Sequence, residues 1–412
     1  MLEHCFTQGA ALERHRSRLL GPYLDTFVAE SCKLGYTPQV IRQQCNIVGH
    51  FSDWLERRRL VIDRIDASVV ECHVRTRRRV RYDGEATTLR RFIGHLPARR
   101  VGATPVAPLG QSASEELLVR FVRHLTMQRR ILGPTAEAYA SFARDLLSYR
   151  YPDGRPELRQ LRAADISAFV VTWTRTRPPG RAKMLVTSLR AFLRFLLQQE
   201  EVDLDLSAAV PSVASWRLAG IPKYLQPQEV ERLLASCDRQ TAAGRRDYAI
   251  LVLLARLGVR AREVACLEID DINWRAGELV VRGKGAREDR LPLAPEVGEA
   301  LADYLRYGRP TCATRRVFLR ARAPIGAIAD RRTIGTVVAA AMGRAGLNPP
   351  AKGSHILRHS LATRMLGGGA SLAEIALVLR HRSPQSTELY AKVDFASLRN
   401  LALSWPSEEG GR

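Results

Sequence analysis

The stretch SHILRHS, Ser354 to Ser360, sets two histidines and an arginine among apolar residues, with no metal-type cysteines beside them. At helical spacing His355 and Arg358, three apart, project from one side, while Leu357, Leu361 and Met365 bury another. A single such histidine is ordinarily a satisfied core residue. Here four more polar residues fall at element ends with no obvious core to face. They are Arg260 just past Gly258, Lys284 in a tight GKGARED connection, His381 at a helix end and Tyr390 one element later. Arginine forks match phosphate oxygens two at a time, so this set first suggests the handling of a phosphate-bearing partner.

The overall charge agrees. The 412 residues carry a formal net charge of +22, with a pI near 10.5, which makes polyanion binding the leading expectation. Lysine occurs only at positions 33, 183, 223, 284, 352 and 392, so nearly all of the 64 basic residues are arginine. The seven cysteines (Cys5, Cys32, Cys45, Cys72, Cys237, Cys266, Cys312) are scattered singly and read as buried, inert thiols rather than disulfides or a zinc site. The longest apolar run, Ala249 to Ala255, falls far short of the roughly 18 to 20 residues that cross a bilayer. No secretory h-region opens the chain, so a cytoplasmic location with no membrane partner is expected.

The elements that must position these groups are legible from breaks and periods. Arg100 to Glu116 and Asp205 to Lys223 are rich in Pro, Gly, Ala and Ser without a helical or strand period. They divide the chain into an N-terminal helical domain (1–103), a second helical domain (113–206) and a third part (220–412). The first two share a grammar. Thr37-Pro38 opens a helix with Val40, Ile41, Phe51 and Trp54, followed by IDRIDASVV; Pro134-Thr135 opens one with Tyr139, Phe142, Leu146 and Leu147, followed by LRQLRAADISAFVV. That is a weak repeat of small helical units. The first ends in RTRRRVR, whose Arg75, Arg77, Arg78, Arg79 and Arg81 are candidate phosphate contacts. The second ends in a helix with Leu185, Ser188, Leu189, Phe192 and Leu196 on one face.

The third part mixes element types. Pro227 starts a helix, and an apolar helix from Asp247 to Leu257 stops at Gly258, suited to a left-handed cap. DDINW, ELVVRG and RLPL read as strands. Helices then resume: Gly367 to Gly369 stop one, and Ser371 with Glu374 forms a capping box for a stripe of Leu372, Ile375, Ala376 and Leu379. Ser383 and Pro384 are expected to start a further helix carrying Tyr390. The fold class is thus mainly α with a small β-sheet.

In order and spacing these boxes resemble the tyrosine recombinase (phage integrase) family, in its transposon-associated type. RLGVRAREV matches the family's T-G-x-R-x-x-E box at Arg260 and Glu263. VRGKGAREDRLPL matches its strand-turn-strand lysine at Lys284, and HILRH matches H-x-L-R-H at His355 and Arg358. LRH matches L-G-H at His381, followed by Tyr390. The match covers about Tyr224 to Asp394; the second helical domain is more loosely similar to the family's core-binding domain, and the first would be a second such module. One position departs: the family's glycine before the last histidine is Arg380 here, which could add a phosphate contact.

The resemblance implies a helical clamp on double-stranded DNA followed by a mixed α/β catalytic domain. It implies cleavage through a 3′-phosphotyrosyl link on Tyr390, without metal or other cofactor, in a homotetramer on paired sites, with or without companion recombinases. Arg260 and Arg358 would hold the non-bridging oxygens, His381 would donate a further hydrogen bond, His355 would do the same or act as base, and Lys284 would be the general acid. Glu263 would hold Arg260 in place, and His359 is expected in packing or supporting bonds rather than chemistry. Rival readings of the same residues are a type IB topoisomerase and a catalytically silent DNA-binding partner of another recombinase.

Overall fold

The computed structural model describes residues 2–6, 9–76, 84–96, 113–153, 155–175, 177, 179–212, 222–283, 287–328 and 330–393. They group into two compact units, residues 1–97 with 220–412, and residues 98–219.

In the first unit, α1 (Gly9–Arg16), α2 (Leu24–Lys33), α3 (Pro38–Arg57), α4 (Ala67–Thr76) and α5 (Glu85–Ile93) enclose a core that includes Phe27, Phe51, Leu55 and Phe92. The Thr37 hydroxyl caps α3 by accepting the Val40 N–H, with Pro38 in the first turn. Ile41 is buried, but Val40, expected beside it, is 37 % exposed, because successive helical residues point about 100° apart.

The second unit holds α6 (Ala113–Arg123), α7 (Gly133–Arg150), α8 (Ala163–Arg175) and α9 (Pro179–Gln198). Leu185, Ser188, Leu189, Phe192 and Leu196 of α9 are all fully buried. The Ser188 hydroxyl is satisfied locally by donating to the Met184 carbonyl at 2.7 Å. Each helical part runs long helix, 3-10 turn (Ile62–Arg64 or Leu158–Gln160), helix, helix.

Residues 222–393 of the first unit build the rest around α11. The order is α10 (Pro227–Ala235), α11 (Ala242–Arg256), α12 (Ala261–Cys266), β1 (Ile272–Asn273), β2 (Glu278–Arg282), β3 (Glu288–Pro292), α13 (Pro295–Tyr307), α14 (Arg331–Arg344), α15 (His355–Gly367) and α16 (Leu372–Val378). The strands form an antiparallel sheet in the order β1-β2-β3, with Val281 opposite Asp289 and Arg282 opposite Glu288. The two-residue period puts Asp289 on the same face as buried Leu291, turned inward. α11 is buried nearly all round from Ala249 to Leu254, packing against α13 and α15.

Two expectations change. Only Cys5, Cys45 and Cys237 are buried; Cys32 is exposed and Cys72, Cys266 and Cys312 are half-buried. The segment after α16 is not one helix begun by Ser383 but two 3-10 turns, Pro384–Ser386 and Glu388–Val393. Thr387 between them is turned inward, 2 % exposed, with its hydroxyl on His381, and that inward turn interrupts the helical path. Among the described residues no helix is long and apolar enough to cross a membrane.

Because Leu253 is fully buried in the core of residues 222–393, Leu253→Ala should destabilise the protein by about 2 to 5 kcal/mol. Urea unfolding would show this as a lower midpoint with an unchanged slope.

Candidate active site

Arg358 sits on the first turn of α15 between the buried faces of two other helices, 5 % exposed. A buried guanidinium needs acceptors, and it donates to the carbonyls of Gly258, just past α11, and Leu379, just past α16. Gly258 has φ +57, and a Cβ there would come within 2.8 Å of the Leu379 side chain and 3.0 Å of that of Leu361. The left-handed backbone and the close approach both require glycine, and together they present its carbonyl to Arg358. Burial, and then the charges of Arg260 and Arg380, lower the Arg358 pKa to about 10, so it stays protonated at neutral pH.

Arg260 caps α12 and is 37 % exposed, facing solvent more than its neighbours do. Its backbone N–H donates to Glu263 Oε2 at 2.9 Å, its Nη1 to Glu263 Oε1 at 2.9 Å and its Nη2 to the Arg380 carbonyl at 3.3 Å. Glu263 is almost fully buried. Burial pushes its carboxyl up, but the Arg260 N–H, the Arg380 charge and the Arg260 guanidinium together outweigh it and hold the group below its usual pKa. Arg380, expected as a phosphate contact, has its side chain 8 % exposed with Nη2 on Glu263 Oε2 at 2.9 Å. The buried carboxylate has drawn it inward.

His359, expected in packing or supporting bonds, makes a supporting bond to the tyrosine. Its Nδ1 lies 2.8 Å from the Tyr390 hydroxyl. Residues four apart share a helix face as well as residues three apart do, so His359 stands beside His355; the spacing carried that signal. Tyr390 is 1 % exposed in a small cluster with Leu361, Ala362, Ile375 and Leu379. Burial raises its pKa to about 12 against the lowering effect of Arg358. His381 stacks parallel to the Tyr390 ring at 6.3 Å between centroids, with Nδ1 2.7 Å from the Thr387 hydroxyl. Burial first, then neighbouring histidine and arginine charges, lower both His359 and His381 to about 4. His355, at the exposed edge, is lowered by desolvation and then by Arg358, Arg260 and Arg331.

Arg260, Arg380 and His381 line an open cleft of about 520 Å³ together with Gly283, Arg287, Asp289, Ala376, Leu377 and Arg382. Gly283 and Arg287 are the stem of the β2–β3 hairpin, closed by the Gly283 N–H donating to the Arg287 carbonyl at 2.8 Å. Lys284, which follows Gly283 in sequence, lies outside the described residues, as do Arg77, Arg78, Arg79, Arg81 and the side chain of Arg75. Sequence reasoning did not single out Thr387 and Asp289. Neither has a spacing signal, since their partners come from other elements.

The neutral histidines link this site to stability. Their folded pKa values near 4 lie below the ~6.5 of an unfolded chain, so across about pH 4 to pH 6.5 the unfolded state binds more protons and stability rises with pH. Urea midpoints should climb across that window, and His359→Gln should make the climb shallower.

Comparison with known proteins places the chain in a family. The phage integrase family matches residues 223–397. The integrase/recombinase y4rA of Sinorhizobium fredii is 41 % identical over 399 residues, 97 % of each chain. The tyrosine recombinase XerD of Mycobacterium tuberculosis is 33 % identical over 302 residues, 68 % of this chain and 94 % of its own. The XerH site-specific recombinase, solved bound to palindromic difH substrate, shares the fold with TM-score 0.56 at 18 % identity, over 70 % of this chain and 84 % of that one. The chain therefore belongs to the phage integrase family and is a tyrosine-type, site-specific DNA recombinase.

Proposed function

We propose that the chain exchanges strands of duplex DNA for integration or transposition of a mobile element, with Tyr390 as the nucleophile. The observation that carries this reading is that Arg260 and His381 line one cleft, with the His359–Tyr390 pair and Arg358 buried directly behind them.

The Tyr390 oxygen attacks the scissile phosphorus and the bond to the 5′-oxygen breaks. The leaving oxygen takes a proton, and the resemblance assigns that proton to Lys284. Arg260 and Arg358 offer paired donors to the non-bridging oxygens as charge builds on them. His381, its Nδ1 engaged by Thr387, has Nε2 left for a phosphate oxygen. His355 is exposed on the first turn of α15, within reach of the Arg358 and Arg260 charges. His359, neutral at pH 7, accepts the phenol proton at Nδ1 when its own proton is on Nε2. The phosphotyrosyl bond keeps the energy of the broken phosphodiester, so a 5′-hydroxyl from the other duplex reverses the step without ATP.

Exchange between two duplexes breaks four strands and needs four nucleophiles, which favours a homotetramer; companion recombinases would replace some of its copies. The helical parts at 1–103 and 113–206 then clamp the duplex, with Arg75, Arg77, Arg78, Arg79 and Arg81 on phosphates, and the catalytic part spans 220–412. A DNA substrate favours a cytoplasmic location. The 1 % exposure of Tyr390 lends some support to the silent-partner reading.

The deciding experiment mixes protein with nicked DNA from the ends of the host element in chelator and resolves it on a denaturing gel. Wild type should give a covalent adduct that Tyr390→Phe lacks. Arg358→Lys should slow its appearance by about 10²- to 10³-fold. Binding of these ends without any adduct would leave the silent-partner reading standing.

A further inference from the structure

Arg380 occupies the position where the family pattern has glycine, and it does so in a conformation that suits glycine, at φ +54. Its side chain is 8 % exposed, and its Nε and Nη1 have no hydrogen-bond partner among the described residues. Glycine would remove both the backbone strain and the two donors that lack a hydrogen bond. The arginine is therefore not a packing solution, and what it touches matters. Nη2 bonds Glu263 Oε2 at 2.9 Å, Nη1 lies 3.9 Å from Asp289 Oδ2 on β3, and its carbonyl accepts from Arg260 Nη2 at 3.3 Å.

Three consequences follow. First, Glu263 is held at both oxygens, so the carboxylate that orients Arg260 cannot rotate. Second, Arg260 is gripped on one edge by that carboxylate and by the Arg380 carbonyl, which leaves its other edge for the cleft. Third, Asp289 belongs to the strand that returns from the hairpin tip, so the same guanidinium links that strand to the wall beside His381.

We infer that Arg380 is a positioning residue for strand cleavage: it locks Glu263, and through it Arg260, and holds the β3 strand of the Lys284 hairpin against the cleft. This rests on the recombinase reading of that cleft. It also replaces the expected phosphate contact with an indirect role.

The test compares full-length wild type, Arg380→Gly and Arg380→Lys by single-turnover adduct formation on nicked DNA at saturating protein, as a function of pH. DNA affinity and its salt dependence are measured alongside. Wild type is read first: if it forms no adduct, the recombinase reading fails and not this inference.

Arg380→Gly should cleave about 10²-fold more slowly, as expected when a reacting group is misplaced by about an ångström, with DNA affinity within about twofold and an unchanged salt slope. The acid limb should also move. Arg260 on α12, Arg358 on α15, Arg380 itself and, across Arg380, Asp289 on β3 are the charged groups facing Glu263. Removing the Arg380 cation raises the carboxyl pKa, so the variant should lose rate at a higher pH than wild type as the medium is acidified. Lysine restores the charge but not the fork. Arg380→Lys should return the acid limb toward wild type with a rate between the other two.

A wild-type rate and pH profile in Arg380→Gly would overturn the inference. So would normal cleavage at saturation combined with weakened binding and a salt slope reduced by about one, the signature of a direct phosphate contact. If the glycine variant does not fold, Arg380→Lys decides alone: slowed cleavage at unchanged affinity supports the role, and a wild-type rate refutes it.

Discussion

The site depends on a buried cation. Withdrawing the Arg358 guanidinium from water is unfavourable by several kcal/mol unless it is fully hydrogen-bonded, and this chain answers with two main-chain carbonyls rather than a carboxylate. One belongs to Gly258, at the end of α11, and the other to Leu379, at the end of α16. The guanidinium therefore fastens two helix ends to α15, and its charge is left largely uncompensated by those neutral partners. The same group that braces the fold stays attractive to an anion. Gly258 follows from this demand: a side chain at φ +57, with Leu379 and Leu361 against it, could not present that carbonyl.

The anionic side of the arrangement is Glu263. One buried carboxylate serves two guanidiniums, Arg260 and Arg380, with Arg358 close enough to feel both. Positive charge at this wall thus exceeds its local compensation, and every described histidine nearby is pushed toward neutrality. Neutral rings suit a site meant for phosphate. They can accept a phenol proton or donate one hydrogen bond without adding to a repulsion the arginines already create. A phosphate entering the cleft relieves that repulsion, so the free protein holds electrostatic stress that its substrate discharges.

Much of this was legible in the sequence because it is written in local spacing. The Gly258 stop, the Ser371–Glu374 capping box, the strand alternation and the paired His355 and Arg358 are statements about neighbours three, four or two residues apart. What was not legible joins elements far apart in the chain. The inward turn of Arg380 depends on Glu263, 117 residues away. The partnership of His359 and Tyr390 spans 31 residues. His359 was still within reach, since its i,i+4 relation to His355 places it on the same side.

Tyr390 does not sit in the main core. Its buried neighbours, Leu361, Ala362, Ile375 and Leu379, form a satellite cluster apart from the large one around α11. The turns that carry it are 3-10, bonded i to i+3, with poorer geometry than an α-helix. Such a segment can leave without opening the large core, and local openings of this kind require far less free energy than global unfolding. As the proposed nucleophile, Tyr390 at 1 % exposure with a pKa near 12 is unreactive where it lies. In the proposed reaction, moving it to the phosphate gives up its cluster contacts, and DNA must supply more than that. With Tyr390 as the proposed nucleophile, its burial would tie reactivity to a substrate large enough to offset it.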